Sequence, residues 1–293
     1  MKSSIEAFID FPARSNIPAT KIFTKQYIEN NLGDRDTIIL LPGGPGNDMA
    51  MYDDPTQSIA QTFFQMVDVI LFDPRSCGKS EICDVTYCTL DHYINDVEAI
   101  RQYFNLSADR FLVFGQSYGA IVALGYATRY ANALKKLLLI GGVVNASFYQ
   151  EAKADLAKIG TNEQIAFAEK LWHGTFDGSK QEISDFYRLM SPLYMCSFEP
   201  AEPPLEIGYN LDVMNYGWGN FLKCFDYQAA LSDVCCDVLL LWGENEWIMP
   251  RSHIDIIANA IPRCTLKTYP ECMHMLWMDQ WERFVNDALA FLR

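Results

Sequence analysis

The chain predicts an α/β protein: a mostly parallel eight-stranded sheet, helices on both faces, and an inserted helical cap. Three observations carry this. Short apolar runs such as Thr37-Ile38-Ile39-Leu40-Leu41 and Leu137-Leu138-Leu139-Ile140 read as strands buried on both faces. They alternate with helical patterns, the order expected of strand–helix–strand units. The alternation stops between about Asn145 and Ser232, where the pattern turns helical, irregular and aromatic.

Taken in order, Ile5–Phe11 and Lys21–Tyr27 are the two opening strands. Thr37–Leu41 follows and ends in Pro42-Gly43-Gly44-Pro45-Gly46. Val67–Phe72 is the next strand and ends at Asp73-Pro74-Arg75. A helix is expected from near Asp91 to Phe104. Phe111-Leu112-Val113-Phe114 and Leu137–Ile140 are further strands, with a small-residue helix from Ala120 between them. Val238–Trp242 and Leu266–Tyr269 complete the set, each followed by a helical pattern. Residues 1–144 and 233–293 then form the main domain and 145–232 the cap, with a proline-rich bend at Glu199–Pro204. The competing reading makes 145–232 an extension of the main core. A cap over the carboxyl ends of the strands would build the ligand pocket.

The composition suits a folded chain with a large core: 293 residues, 50% hydrophobic and 20% charged. The formal net charge of -14 argues against nucleic acid as a partner, since phosphate binding needs a basic face. No run approaches membrane-spanning length, and the start Met1-Lys2-Ser3-Ser4-Ile5-Glu6 lacks the apolar region of a signal peptide. A cytoplasmic protein without a membrane partner is the expectation. The nine cysteines form no Cys-x-x-Cys pair and read as reduced, mostly buried thiols. Cys77 and Cys88 lie in loops and are the candidates for exposure, with a redox role the weaker reading. Neither a cofactor nor a metal is expected.

Gly115-Gln116-Ser117-Tyr118-Gly119 is the most informative segment. It sits between an apolar strand and a small-residue helix, so it reads as strand, sharp turn, helix. This G-x-S-x-G elbow is the signature of the α/β-hydrolase fold, in which the serine is a nucleophile. A serine hydroxyl needs a base. His274, just past the last strand, is the candidate. His92 and His253 read as exposed residues at helix starts, and His173 as a cap residue away from the chemistry. The acid should follow the Val238–Trp242 strand, where Glu244 and Glu246 are the candidates. Backbone N–H groups of Tyr118 and of Gly43 or Gly44, with Gly44 preferred, would hold an oxyanion. Pro45 has no N–H to offer. Asp73-Pro74-Arg75-Ser76-Cys77-Gly78-Lys79-Ser80 fails the phosphate-loop pattern because Asp73 takes its first glycine position. Asp73 and Arg75 are expected to bond backbone near the site instead.

Together these residues resemble the proline iminopeptidase branch of the α/β-hydrolases, including the tricorn-interacting aminopeptidases. That branch carries H-G-G-P-G, where this chain has Pro42-Gly43-Gly44-Pro45-Gly46. It carries D-x-R-G-x-G-x-S, where this chain has Asp73-Pro74-Arg75-Ser76-Cys77-Gly78-Lys79-Ser80, and G-x-S-Y-G-G, where this chain has Gly115-Gln116-Ser117-Tyr118-Gly119-Ala120. G-x-x-D-x-x-x-P after the acid strand aligns Gly243 and Pro250 and puts Glu246 in the acid's place. The resemblance implies a Ser117–His274–Glu246 triad and a small-molecule or short-peptide substrate. In that branch, carboxylates bind the substrate's free amine. One directly follows the triad acid, where this chain has Trp247. Another lies in the cap, aligned with Trp218-Gly219-Asn220-Phe221, where no acid stands. Glu199, Glu202, Glu206, Asp212 and Asp226 are the substitutes to consider. Gly43, Trp218, Asn220 and Trp247 are the candidate substrate-binding residues. The leading expectation is an acyl-enzyme hydrolase acting on small peptides or aminoacyl amides. An ester or lactone hydrolase of apolar substrates is the alternative, and a non-catalytic small-molecule-binding homologue the second. Epoxide or halide chemistry on this fold uses aspartate at the elbow, which Ser117 argues against.

Overall fold

The structure is a computed structural model that describes residues 4–13, 18–196 and 208–293. Phe198, the Glu199–Pro204 bend and Glu206 lie outside the described residues.

The strands are β1 (Ile5–Phe11), β2 (Thr20–Tyr27), β3 (Thr37–Leu41), β4 (Asp68–Phe72), β5 (Phe111–Gln116), β6 (Lys136–Ile140), β7 (Asp237–Gly243) and β8 (Cys264–Tyr269). They form one sheet in the order β1-β2-β4-β3-β5-β6-β7-β8. β2 pairs antiparallel with both neighbours, and every other pairing is parallel. The short apolar strands occupy the centre because their residues are buried on both faces. Ile39, Leu41 and Val113 pack into one layer, while Ile38, Leu40, Leu112 and Phe114 pack into the other. That division is the two-residue alternation of a strand.

Helices α1 (Ile59–Phe63), α2 (Leu90–Tyr103), α3 (Tyr118–Arg129), α4 (Phe148–Ile159), α5 (Asn162–His173), α6 (Lys180–Met190), α7 (Leu211–Gly219), α8 (Arg251–Ala260), α9 (Leu276–Asp279) and α10 (Trp281–Leu292) complete the fold. α2, α3 and α8 cover the first layer, and α1, α9 and α10 the second. The helical region α4 to α7 falls within the cap interval and buries Phe167, Trp172, Leu189 and Trp218 in the core of the first layer. No described helix is long and apolar enough to cross a membrane.

Four readings are corrected by packing. His253 is 2% exposed, not a surface residue, because it shares the buried stripe of α8 with Ile254 and Ile257. Its Nδ1 accepts the Val144 N–H at 3.2 Å, and Glu151 lies 3.5 Å from Nε2. His92 is half-buried at the start of α2, where its Nδ1 sits 2.7 Å from Thr89 Oγ1. Cys77 and Cys88 are fully buried, because the loop after β4 folds beneath α2 and places both in the core. All nine cysteines are free; Cys196, Cys224 and Cys235 are the exposed ones. Asp73 bonds the backbone N–H groups of Met49 and Lys79 as expected. Arg75 instead makes a buried two-point ion pair with Asp96, Nε to Oδ2 at 2.7 Å and Nη2 to Oδ1 at 2.5 Å.

Breaking that pair by Asp96→Ala leaves a buried cation uncompensated, which costs about 3–5 kcal/mol. The urea midpoint of the variant should fall accordingly; a midpoint like that of the parent would contradict the pairing. His253 titrates lower than free histidine, chiefly through burial, with Glu151 opposing the shift. The unfolded chain takes up a proton below about pH 6.5 that the folded chain resists. Stability is therefore lost as pH falls through that range. His253→Asn offers an amide oxygen to the same N–H without the titration. Its urea midpoint should shift less than the parent's between neutral and mildly acidic buffer.

Candidate active site

The site begins at the end of β5. Ser117 has φ 59° and ψ -123°, a backbone state that a residue with a side chain avoids. Two glycines make the state attainable. A Cβ on Gly115 would lie 2.3 Å from the Gly119 carbonyl oxygen, and one on Gly119 would lie 2.1 Å from the Leu41 carbonyl oxygen. The turn is thus pressed against itself and against the end of β3, and the serine is lifted from the sheet. Ser117 N–H donates to the Ile140 carbonyl at 3.1 Å, which ties the elbow to β6 as well.

His274 lies in the loop between β8 and α9. Its Nε2 is 2.8 Å from Ser117 Oγ, and its Nδ1 is 2.5 Å from Glu246 Oε2. The three side chains form one hydrogen-bonded chain, and all three residues are buried. The other oxygen of Glu246 accepts the Ile248 N–H at 2.6 Å, so both carboxylate oxygens are engaged. Glu244 is exposed on the same turn and takes no part. Gln116 Nε2 donates to the His274 carbonyl at 3.4 Å. Tyr194 sets its ring edge-on to the imidazole, 5.2 Å between centroids. Burial, with Glu246 nearby, pushes the Tyr194 phenol up, so it stays neutral.

Backbone donors face the serine from two sides. Tyr118 is the first residue of α3, so no earlier helical carbonyl takes its N–H. Gly43 and Gly44 both line the cavity over Ser117. The Gly43 N–H meets Met51 Sδ at 3.3 Å, whereas the Gly44 N–H has no acceptor among the described residues. This difference agrees with the preference for Gly44.

The cavity measures about 190 Å³. Leu171, Phe176, Phe186, Met214, Trp218 and Ile248 contribute to its apolar wall. Among the described residues no carboxylate lines it. α7 is stitched to the glycine loop: Asn210 N–H donates to the Gly46 carbonyl at 2.8 Å, and Asp48 N–H to the Gly208 carbonyl at 3.0 Å.

Of the four candidate binding residues, Gly43 and Trp218 line the cavity and two do not. Asn220 is exposed at the end of α7. Trp247 is buried behind the wall, its Nε1 donating to the Leu193 carbonyl at 2.8 Å and its ring against Trp172 and Tyr194. An indole has one polar atom, and here it is used for structure. Asp212 and Asp226 are exposed and away from the cavity. Glu199, Glu202 and Glu206 lie outside the described residues. His173 is exposed, with Nδ1 near the Glu169 carbonyl. Sequence reasoning passed over Gln116 and Ile248. Gln116 occupies the free position of the elbow motif, and Ile248 acts through its backbone, so neither carried a side-chain signal. No group of residues that could hold a metal ion is present among the described residues.

Comparison with known proteins bears on the fold. A proline iminopeptidase of Heyndrickxia coagulans is 24% identical over 300 residues, covering 98% of this chain and 98% of that protein. A solved α/β fold family hydrolase of Bacillus anthracis superposes with a TM-score of 0.76 at 20% identity, covering 97% of this chain and 99% of that one. A solved proline iminopeptidase of Mycobacterium smegmatis gives 0.68 at 18% identity, covering 98% and 97%. The family model for the alpha/beta hydrolase fold matches residues 36–280. With the elbow, the sheet order and a family match over most of its length, the chain belongs to the α/β-hydrolase fold family.

Proposed function

We propose that this protein is a serine hydrolase acting through an acyl-enzyme, and that its acyl pocket takes a small, uncharged, apolar group presented as an ester or lactone. The Ser117–His274–Glu246 hydrogen-bond chain carries the first part. Ser117 Oγ attacks the acyl carbon while His274 Nε2 takes its proton. Glu246 keeps the other ring nitrogen protonated and balances the imidazolium. Tyr118 and Gly44 N–H groups receive the oxyanion. His274 then hands the proton to the leaving oxygen, and water repeats the sequence to release the acid. In this reading residues 145–232 act as the cap that shapes the pocket.

The second part rests on the pocket wall. Both positions where aminopeptidases of this kind carry amine-binding acids hold other residues. Trp247 is committed to the Leu193 carbonyl, and Trp218 adds apolar surface. Among the described residues, a substrate ammonium placed there would lose its water shell without meeting a carboxylate. Iminopeptidase activity on short peptides is the second reading, and its support is the full-length similarity to a proline iminopeptidase.

A paired assay separates the two. Short-chain p-nitrophenyl esters should turn over while proline arylamides do not; efficient arylamide cleavage would restore the iminopeptidase reading. Ser117→Ala should remove activity by several orders of magnitude, since the three side chains act as a unit. Glu246→Gln should retain the fold and lower kcat by about 10⁴, the effect of presenting the wrong imidazole tautomer. A fluorophosphonate probe should label Ser117, and failure to label would favour a non-catalytic binding protein.

A further inference from the structure

The loop after β4 gathers a second set of reactive groups away from the serine. Arg75 is 1% exposed, and its Nε and Nη2 are taken by Asp96. Its Nη1 is buried with no acceptor at hydrogen-bond distance. Beside it stand two cysteines, Cys83 and Cys88, with their sulfurs 3.9 Å apart. Cys83 is half-buried and Cys88 fully buried. Ser76 brackets Cys83, accepting its N–H at 3.0 Å and placing Oγ 3.4 Å from its sulfur. Cys77 is engaged separately, 3.6 Å from the Tyr93 hydroxyl. The flanking Ile82 is 80% exposed, so packing does not restrain the outer side of this turn.

These are the surroundings of a reactive thiol: partial access, a nearby cation, and a second thiol in reach. The hydrogen bond between the Cys83 and Cys88 sulfurs, with Ser76 and Arg75, pulls the Cys83 thiol below the ordinary cysteine range despite burial. The same bond, together with burial, pushes Cys88 up. Cys83 is half-buried and Cys88 fully buried, so Cys83 is the sulfur that peroxide can reach and Cys88 the resolving one.

We propose that Cys83 and Cys88 form a peroxide-sensitive dithiol, a modification site separate from the hydrolase site. Cys83 thiolate attacks one oxygen of hydrogen peroxide, the O–O bond breaks, and hydroxide leaves to be protonated to water. The sulfur becomes a sulfenic acid. Cys88 then loses its proton and attacks that sulfur, the S–O bond breaks, and a second water leaves. Two thiols and one peroxide become one disulfide and two waters. The sulfurs must close to about 2.05 Å, a movement the exposed turn can supply. The site is joined to the pocket, because Ser76 carbonyl accepts the Asn210 side-chain N–H at 2.7 Å and Asn210 caps α7.

The test is mass spectrometry of the full chain after stoichiometric hydrogen peroxide. Trypsin releases residues 80–101 as one peptide that holds both cysteines. It should lose about 2 Da as the disulfide forms and recover the mass with dithiothreitol. In Cys88→Ser the oxidation should stop at a Cys83 sulfenic acid trapped by dimedone. In Cys83→Ser, Cys88 should stay unmodified. In the parent at neutral pH, iodoacetamide should take Cys83 ahead of the exposed Cys224 and Cys235. The proposal is overturned if Cys83 reacts more slowly than those two. It is equally overturned if peroxide modifies them and leaves the 80–101 peptide unchanged. None of these readouts depends on hydrolase activity.

Discussion

The structure depends on the close approach of the elbow to the end of β3. Gly119 comes so near the Leu41 carbonyl that any side chain there would overlap it. That contact sets where α3 begins, and so where the Tyr118 N–H points. It also holds Ser117 in a positive-φ state that costs on the order of 1–3 kcal/mol. The glycine loop after β3 then lies directly across from the serine, because β3 and β5 are paired neighbours. The proposed nucleophile and both proposed oxyanion donors therefore follow from one packing event at the centre of the sheet.

The two remaining partners come from farther along the chain and are placed by strand order. β6 and β7 extend the sheet on one side, and β8 closes it. Glu246 and His274 follow β7 and β8, and their loops are bound together by Asn245 N–H to the Cys272 carbonyl at 2.9 Å. Glutamate in this position has one methylene more than aspartate. The turn accommodates it by folding the carboxylate back onto the Ile248 N–H. That bond fixes one oxygen and leaves the other aimed at the imidazole. The acid is thereby held by its own turn rather than by the sheet.

Most of this was legible in the sequence. All eight strands could be read because central strands buried on both faces need unbroken apolar runs, as in β3 and β6. The elbow was readable because its glycines answer to a steric requirement. His274 followed from its place after a strand, and Glu246 from the alignment of Gly243 and Pro250 with the family motif. The misreadings share one cause. His253, Cys77, Cys88 and Arg75 are polar or small residues in segments that look like surface loops. Their burial depends on which neighbour folds over them. Arg75 finds Asp96 twenty-one residues later, a distance at which local pattern carries no information. Trp247 was misassigned for a similar reason: its motif position says it is near the site, but not that its indole faces Leu193.

The chemistry and the selectivity accordingly rest on different parts of the molecule. Ser117, His274 and Glu246 stand at the ends of sheet strands, where hydrogen-bonded neighbours hold them. The apolar wall is made largely by the inserted helices, through residues such as Leu171, Phe186 and Trp218. A change there alters shape without disturbing the proton path. The exception is Tyr194, which belongs to the inserted region yet packs edge-on against His274 and accepts the Met275 N–H through its carbonyl at 2.8 Å. It is the point at which the 145–232 interval meets the His274 imidazole. A substrate that displaces Tyr194 would loosen the imidazole as it enters. On the acyl-enzyme reading proposed above, the acyl group must fit beside that ring, which favours compact apolar groups over long chains.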